Sequence, residues 1–171
     1  MIGRQNIISG PRAATPAPTP ARTNDPRRYT IALKPGLRLL NTNHRPHHHE
    51  RARITATLRA AATVAVTADR ALTAALCAAK PGPLLQRAHV LAVLHPPKNG
   101  RRDPANWYPS FKAAVDGALV DTGLIEDDDH THLLGPDMRL GPKVTGGQLV
   151  LHITELAPGE DWPELPAAVT R

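Results

Sequence analysis

The stretch AHVLAVLH, Ala88 to His95, decides the fold. Its apolar residues fall on both alternating faces, the pattern of a strand covered on each side in the middle of a sheet. Reading outward from it, the chain supplies both neighbours and covering helices. Upstream, Tyr29, Ile31 and Leu33 alternate with Thr30 and Ala32, a period-2 strand that begins the folded part near Arg28. Between the two strands, Lys34 to His49 reads as a loop rich in Pro, Asn and His. Glu50 to Lys80 then reads as one long helix, stopped by Lys80-Pro81-Gly82-Pro83.

Twelve of the 31 residues from Glu50 to Lys80 are alanine, the strongest helix former. Ile54, Leu58, Ala61, Ala65, Ala68, Leu72 and Leu76 make its expected buried stripe, with Arg51, Arg59, Asp69 and Arg70 facing water. The β-branched patch from Thr63 to Thr67 marks a point where the helix can break. Downstream of Ala88–His95, Pro96 to Pro104 forms a basic loop, and a second helix is predicted from Trp107 to Val120. Asn106 stands as its N-cap, Pro109 lies in its first turn, and Gly123 stops it. A strand follows at Thr131 to Met138, and Gly146-Gly147 turns as a hairpin into Gln148 to Glu155, where Leu149, Leu151 and Ile153 alternate with polar residues. The predicted order is β-α-β-α-β-β, an α/β (α+β) domain with a small mixed sheet and two helices.

Residues 1–27 hold Pro11, Pro16, Pro18, Pro20 and Pro26 among small polar neighbours and read as a disordered tail. The domain is expected over 28–157, with a second tail over 158–171. No apolar run is long enough to predict a membrane span, and the start lacks the compact apolar core of a secretory signal. The expectation is a cytoplasmic protein. One cysteine, Cys77, excludes an intrachain disulfide framework and is expected to fill a small core position.

The net charge of +6 conceals a gradient: +9 over residues 1–60, +4 over 61–120 and −7 over 121–171. A basic front followed by an acidic cluster is more specific than a uniformly basic coat that binds any polyanion. Three chemical features crowd into one stretch. They are Lys98, Arg101 and Arg102 leading to Asp103, then Lys112 with Asp116 one turn on, then Glu126-Asp127-Asp128-Asp129. If both flanks of the second helix converge at one end of the sheet, the carboxylates meet there. Two of them ~4 Å apart repel by roughly 4 kcal/mol at an effective dielectric of 20. Such a cluster needs a cation, a lysine or a proton, and hard oxygen ligands favour Mg²⁺ or Mn²⁺. A solvated acidic loop and an ordinary surface pair of Lys112 with Asp116 are the competing readings.

The order RRDPANWYPSFKAAVDGALVDTGLIEDDD, Arg101 to Asp129, followed by VTGGQLVLHITEL, Val144 to Leu156, resembles the RusA family of Holliday-junction resolvases. That family shows a basic loop leading to R-D-x-D-N, then K-A-x-x-D-A-L, A-G and D-D, and closes with a Gly-Gly turn into L-x-L-x-I-T-E. The resemblance spans Tyr29 to Leu156 and is specific from Arg101 to Glu155. It implies that Asp103 matches the first acidic position, Asn106 the family asparagine, Lys112 the essential lysine and Asp116 the helix aspartate. Asp127 and Asp128 match the paired acids, of which the second is the functional one. Two departures stand out: Ala105 replaces the family's second aspartate, and the segment between Asn106 and Lys112 is longer by nearly a helical turn. Asp116 or Asp129 is the candidate replacement for the missing carboxylate.

The resemblance implies a homodimeric, Mg²⁺-dependent endonuclease that cuts four-way DNA junctions with paired symmetric nicks. In that scheme Asp103 and Asp128, with Asp116 and Asp127 beside them, hold the metal. Lys112 stabilises charge developing on the phosphate. Lys98, Arg101, Arg102 and Asn106 contact the DNA, the cations gripping phosphates without reading sequence. A non-catalytic protein binding branched DNA on the same fold is the alternative that Ala105 keeps open, with a general Mg²⁺ nuclease more remote. Trp107, Tyr108 and Phe111 read as packing residues or as a stacking surface for bases. His44 with His47, His48 and His49 reads as a transition-metal cluster, a DNA-backbone contact or a solvated loop.

Overall fold

The computed structural model describes residues 25–160. Apart from 25–27 and 158–160, the two segments read as tails lie outside them. The chain runs β1 (Arg28–Ala32), α1 (His48–Ala68), α2 (Arg70–Ala79), β2 (Ala88–His95), α3 (Tyr108–Val115), β3 (Leu133–Leu140) and β4 (Gln148–Glu155). It is a mixed α+β fold with one four-stranded sheet in the order β1-β4-β2-β3. β2 is central, antiparallel to β4 and parallel to β3, with Ala88 opposite both Glu155 and Leu133. Ala88, Val90, Ala92 and Leu94 share a core with Leu149, Leu151 and Ile153 of β4, and with Ile54 and Leu58 of α1 and Phe111 and Val115 of α3.

The long helix is two. α1 passes intact through Thr63–Thr67 and stops at Asp69, whose backbone is extended (φ −82°, ψ 106°). The Asp69 carboxylate accepts from the amides of Ala71 and Leu72, capping α2, and the chain bends by 92° there. A short polar side chain that offers the next turn its own acceptor competes with helix continuation. The buried stripe shifts accordingly. Ile54, Leu58, Ala62 and Val66 face the core, whereas Ala61 and Ala65 are half-buried and Ala68 is exposed. Leu72 and Leu76 are the buried residues of α2, and Cys77 is exposed rather than packed. Among the described residues no single helix is long and apolar enough to cross a membrane.

The second helical stretch starts earlier and ends differently than its sequence suggests. Asp103, not Asn106, provides the cap: its carboxylate accepts from the Ala105 amide and opens a 3₁₀ turn, Pro104–Trp107, that feeds α3. After Val115 the helix widens to a π turn over Asp116–Val120, closed by the Asp121 amide donating to the Asp116 carbonyl at 3.0 Å. Gly117 lies in that turn against α1. A Cβ there would stand 2.0 Å from the Arg59 carbonyl oxygen. Thr63 fastens the same contact by donating to the Gly117 carbonyl at 2.9 Å.

β3 begins two residues later than expected because Asp129 captures the preceding amides. Its carboxylate accepts from Thr131 and His132, and its carbonyl from Leu133. Gly146-Gly147 is not the tip of a hairpin, since β4 pairs with β1 and β2 and never with β3. The two glycines end a crossing connection, where a Cβ on Gly147 (φ +75°) would meet Pro97 at 3.1 Å. The start of the fold includes Arg27, whose guanidinium donates to both Glu155 carboxylate oxygens at 2.9 and 2.6 Å.

Candidate functional site

α3 and the π turn set the centre of the site. Lys112 and Asp116 are one turn apart, so both project from one face, and the Lys112 ammonium donates to the Asp116 carboxylate at 2.5 Å. The loop between Val120 and β3 folds back along the helix and delivers Asp128, whose carboxylate also accepts from Lys112. One ammonium thus stands between two carboxylates. Burial alone would lower the Lys112 pKa, but the hydrogen bonds and charges of Asp116 and Asp128 outweigh it and raise it. For Asp128 burial works to raise the pKa, and Lys112 reverses the sign, holding the carboxyl below its ordinary value.

Arg59, expected merely to face water, extends this cluster from α1. It donates to both oxygens of Asp121 at 2.5 Å and lies 4.0 Å from Asp116. The Arg59 hydrogen bonds hold Asp121 below the usual carboxylate range. Neither Arg59 nor Asp121 carried a signal in the sequence, because their meeting depends on the close approach at Gly117. Asp129 is likewise held well below the carboxylate range, first by Thr131 and then by His132. Its carboxylate shares a hydrogen bond with the His132 Nδ1 at 3.0 Å.

The other expected site residues are not drawn into this centre. Asp127 accepts from the Asp128 amide, and Asp103 is occupied as the cap. The two flanks of the helix leave from opposite ends of the sheet, and Asp128 reaches Lys112 because the second flank folds back. β2 and β3 are parallel, so the loop after β2 and the loop before β3 lie at opposite ends. Eight residues lie between Asp103 and Lys112, and the nine helical rises from one to the other sum to at most about 15 Å. No three of these carboxylates bring oxygens within 4.8 Å of one another. Among the described residues the one such trio is His47, His48 and His49, all exposed, at the start of α1.

The end of the sheet after β2 has a different character. Lys98 and Arg101 are exposed, Arg102 is half-buried, and none of the three is ion-paired among the described residues. Arg102 donates to the Lys98 carbonyl at 3.3 Å, while its Nε is buried with no hydrogen-bond partner. A buried charged donor left open is costly unless an acceptor arrives. Asn106 joins this end to the loop after β1. It accepts through its carbonyl from the Thr42 amide at 2.7 Å and through its side chain from the Thr42 hydroxyl at 3.0 Å. Of the three aromatics, Phe111 is fully buried, Trp107 is half-buried against the core and Tyr108 is 46 % exposed.

The donor chemistry suits a hard divalent cation at the Lys112 position. Mg²⁺ is usually held by one or two carboxylates with water completing its shell. Asp116 and Asp128 supply that pair and already share a cation in the Lys112 ammonium. Compared with known proteins, the chain matches no family model and no curated protein.

Proposed function

We propose that this chain is a Mg²⁺-dependent endodeoxyribonuclease that resolves four-way DNA junctions, working in the cytoplasm as a homodimer. The observation that carries the reading is the Lys112 ammonium held between Asp116 and Asp128. Ordinary surface ion pairs are binary and contribute little. Two carboxylates gathered on one cation form a place where positive charge is required. In this reading Asp116 and Asp128 would hold the metal, which would supply polarisation of the scissile phosphate and activation of water. Lys112, released from one carboxylate, turns toward the phosphate oxygens and stabilises their charge. Lys98, Arg101 and Arg102 hold flanking phosphates, gripping the strand without reading its sequence. Asn106 positions the loop after β1 against this surface rather than touching DNA first.

A second reading, a protein that binds branched DNA without cutting it, is favoured by one observation. No third carboxylate among the described residues joins Asp116 and Asp128 within 4.8 Å, so the acidic set stops at a pair. Cleavage of a labelled synthetic four-way junction, against a linear duplex of the same arms, separates the two. Paired nicks that require Mg²⁺ or Mn²⁺ support the enzyme. Tight junction binding without cutting supports the binder.

A further inference from the structure

Beside the basic loop lies an open cavity of about 510 Å³ between the loop after β1, Pro97 and the 3₁₀ turn. We propose that it receives an unpaired nucleobase of a DNA strand, stacked on Trp107 and read by the side-chain amides of Asn41 and Asn43. The inference rests on the nucleic-acid reading above and extends it to a base-binding subsite.

Three features of the lining support this occupant. Leu37, Pro97 and Trp107 offer apolar surface, Trp107 as an aromatic ring, and bases stack on such a ring whatever their identity. Asn41 and Asn43 place amides at the same cavity, the side chain best matched to the paired donors and acceptors of a base edge. The Asn41 side-chain oxygen Oδ1 accepts from the Asn43 backbone N–H at 2.9 Å, which fixes the loop and leaves the Asn41 side-chain NH₂ and the whole Asn43 side-chain amide without partners among the described residues. Third, charge is arranged as a nucleotide needs it. The cavity itself carries no carboxylate, and the next residues after Pro97 lead into Lys98, Arg101 and Arg102. A base in the cavity puts its phosphate toward that rim.

The backbone is built to keep this space in shape. Thr42, between the two asparagines, is tied by both its amide and its hydroxyl to Asn106, one residue before Trp107. The amide of Gly36 donates to the Gly147 carbonyl at 3.0 Å, closing the far side.

The test is equilibrium binding in EDTA, so that cleavage cannot intervene. The probes are a four-way junction, a linear duplex and a single strand, each intact or with abasic nucleotides, the junction's placed at the branch. The proteins are the native chain, Trp107→Ala, Trp107→Phe and Asn41→Ala/Asn43→Ala. The native chain is expected to lose about ten-fold in affinity for the abasic junction and the abasic single strand. Trp107→Ala is expected to lose as much on intact DNA and nothing further on abasic DNA, with Trp107→Phe near native. The abasic arm leaves the protein untouched, so it decides the question even if Trp107→Ala misfolds. Equal affinity of the native chain for intact and abasic strands overturns the base site. If that happens while the junction still outcompetes duplex, the junction reading survives alone. A base-dependent single-strand affinity without junction preference leaves the cavity assigned and removes the junction reading. No binding to any of the probes overturns both.

Discussion

Lys112 and Asp128 stand sixteen residues apart in sequence and meet directly, ammonium to carboxylate, with Asp116 on the other side of the same nitrogen. A helix face alone gives the Lys112–Asp116 pair. The third member arrives only because the loop after the π turn doubles back.

Removing the ammonium should expose what it compensates. Lys112→Ala leaves Asp116 and Asp128 facing each other without a cation, a loss expected to cost about 1–2 kcal/mol near neutral pH. A divalent ion that binds the pair replaces the missing charge, so millimolar Mg²⁺ should raise the melting temperature of Lys112→Ala more than that of the native chain. Thermal melts with Mg²⁺ against the same ionic strength of Na⁺ check this. Equal shifts would remove the pair as a metal site.

Gly117 is the contact on which the arrangement turns. A methyl group 2.0 Å from the Arg59 carbonyl cannot be accommodated by rotating a side chain, because the obstacle is backbone. Gly117→Ala should therefore destabilise by about 3 kcal/mol or more. A urea titration reads it as a lower midpoint at unchanged slope.

Asp69 caps α2 through two amides. Asp69→Ala should cost about 1 kcal/mol, and Asp69→Asn or Asp69→Ser much less, because both keep an acceptor for the same amides. Denaturant midpoints of the three variants order them.

Acid should weaken the fold through the carboxylates that its cations hold ionised. The pKa of Asp121 is lowered by Arg59, and that of Asp128 by Lys112 against the opposing effect of burial. A depressed carboxyl stabilises fully above its unfolded value of ~3.9 and loses that contribution as pH falls through the folded value. Lys112 is raised, so its contribution is complete below ~10.4 and is lost as pH climbs through its folded value. Stability should be flat between the two limbs. Asp121→Asn should shallow the acid limb only, as read by melts from pH 2 to 6.

The sheet was legible because its signals are local. AHVLAVLH announces a doubly covered strand and QLVLHITE alternates, and both occupy the residues expected of them. The helical stretches were legible as helix but not in their joints. Asp69 and Asp103 act as caps, and a cap inside an alanine-rich run or after a basic loop competes with neighbours that argue for continuation. The strand order was out of reach for a related reason. Gly146-Gly147 has the composition of a hairpin turn, and only the insertion of β4 between β1 and β2 shows that it is none. At the site, spacing gave Lys112 with Asp116, while Arg59 and Asp121 depended on a helix crossing that no spacing encodes. The expected gathering of Asp103, Asp116, Asp127 and Asp128 into one set of ligands is not seen, since no three of their carboxylates bring oxygens within 4.8 Å of one another.

The most direct test of the central claim is cleavage of an end-labelled four-way junction in Mg²⁺ by the native chain, beside Asp128→Asn and Asp103→Asn. Paired symmetric nicks by the native chain, and none by Asp128→Asn, are expected. Asp103→Asn, whose side-chain oxygen still caps the turn, should retain cleavage. A native chain that binds the junction and never nicks it, or an Asp128→Asn variant that cuts as well as the native chain, would contradict it.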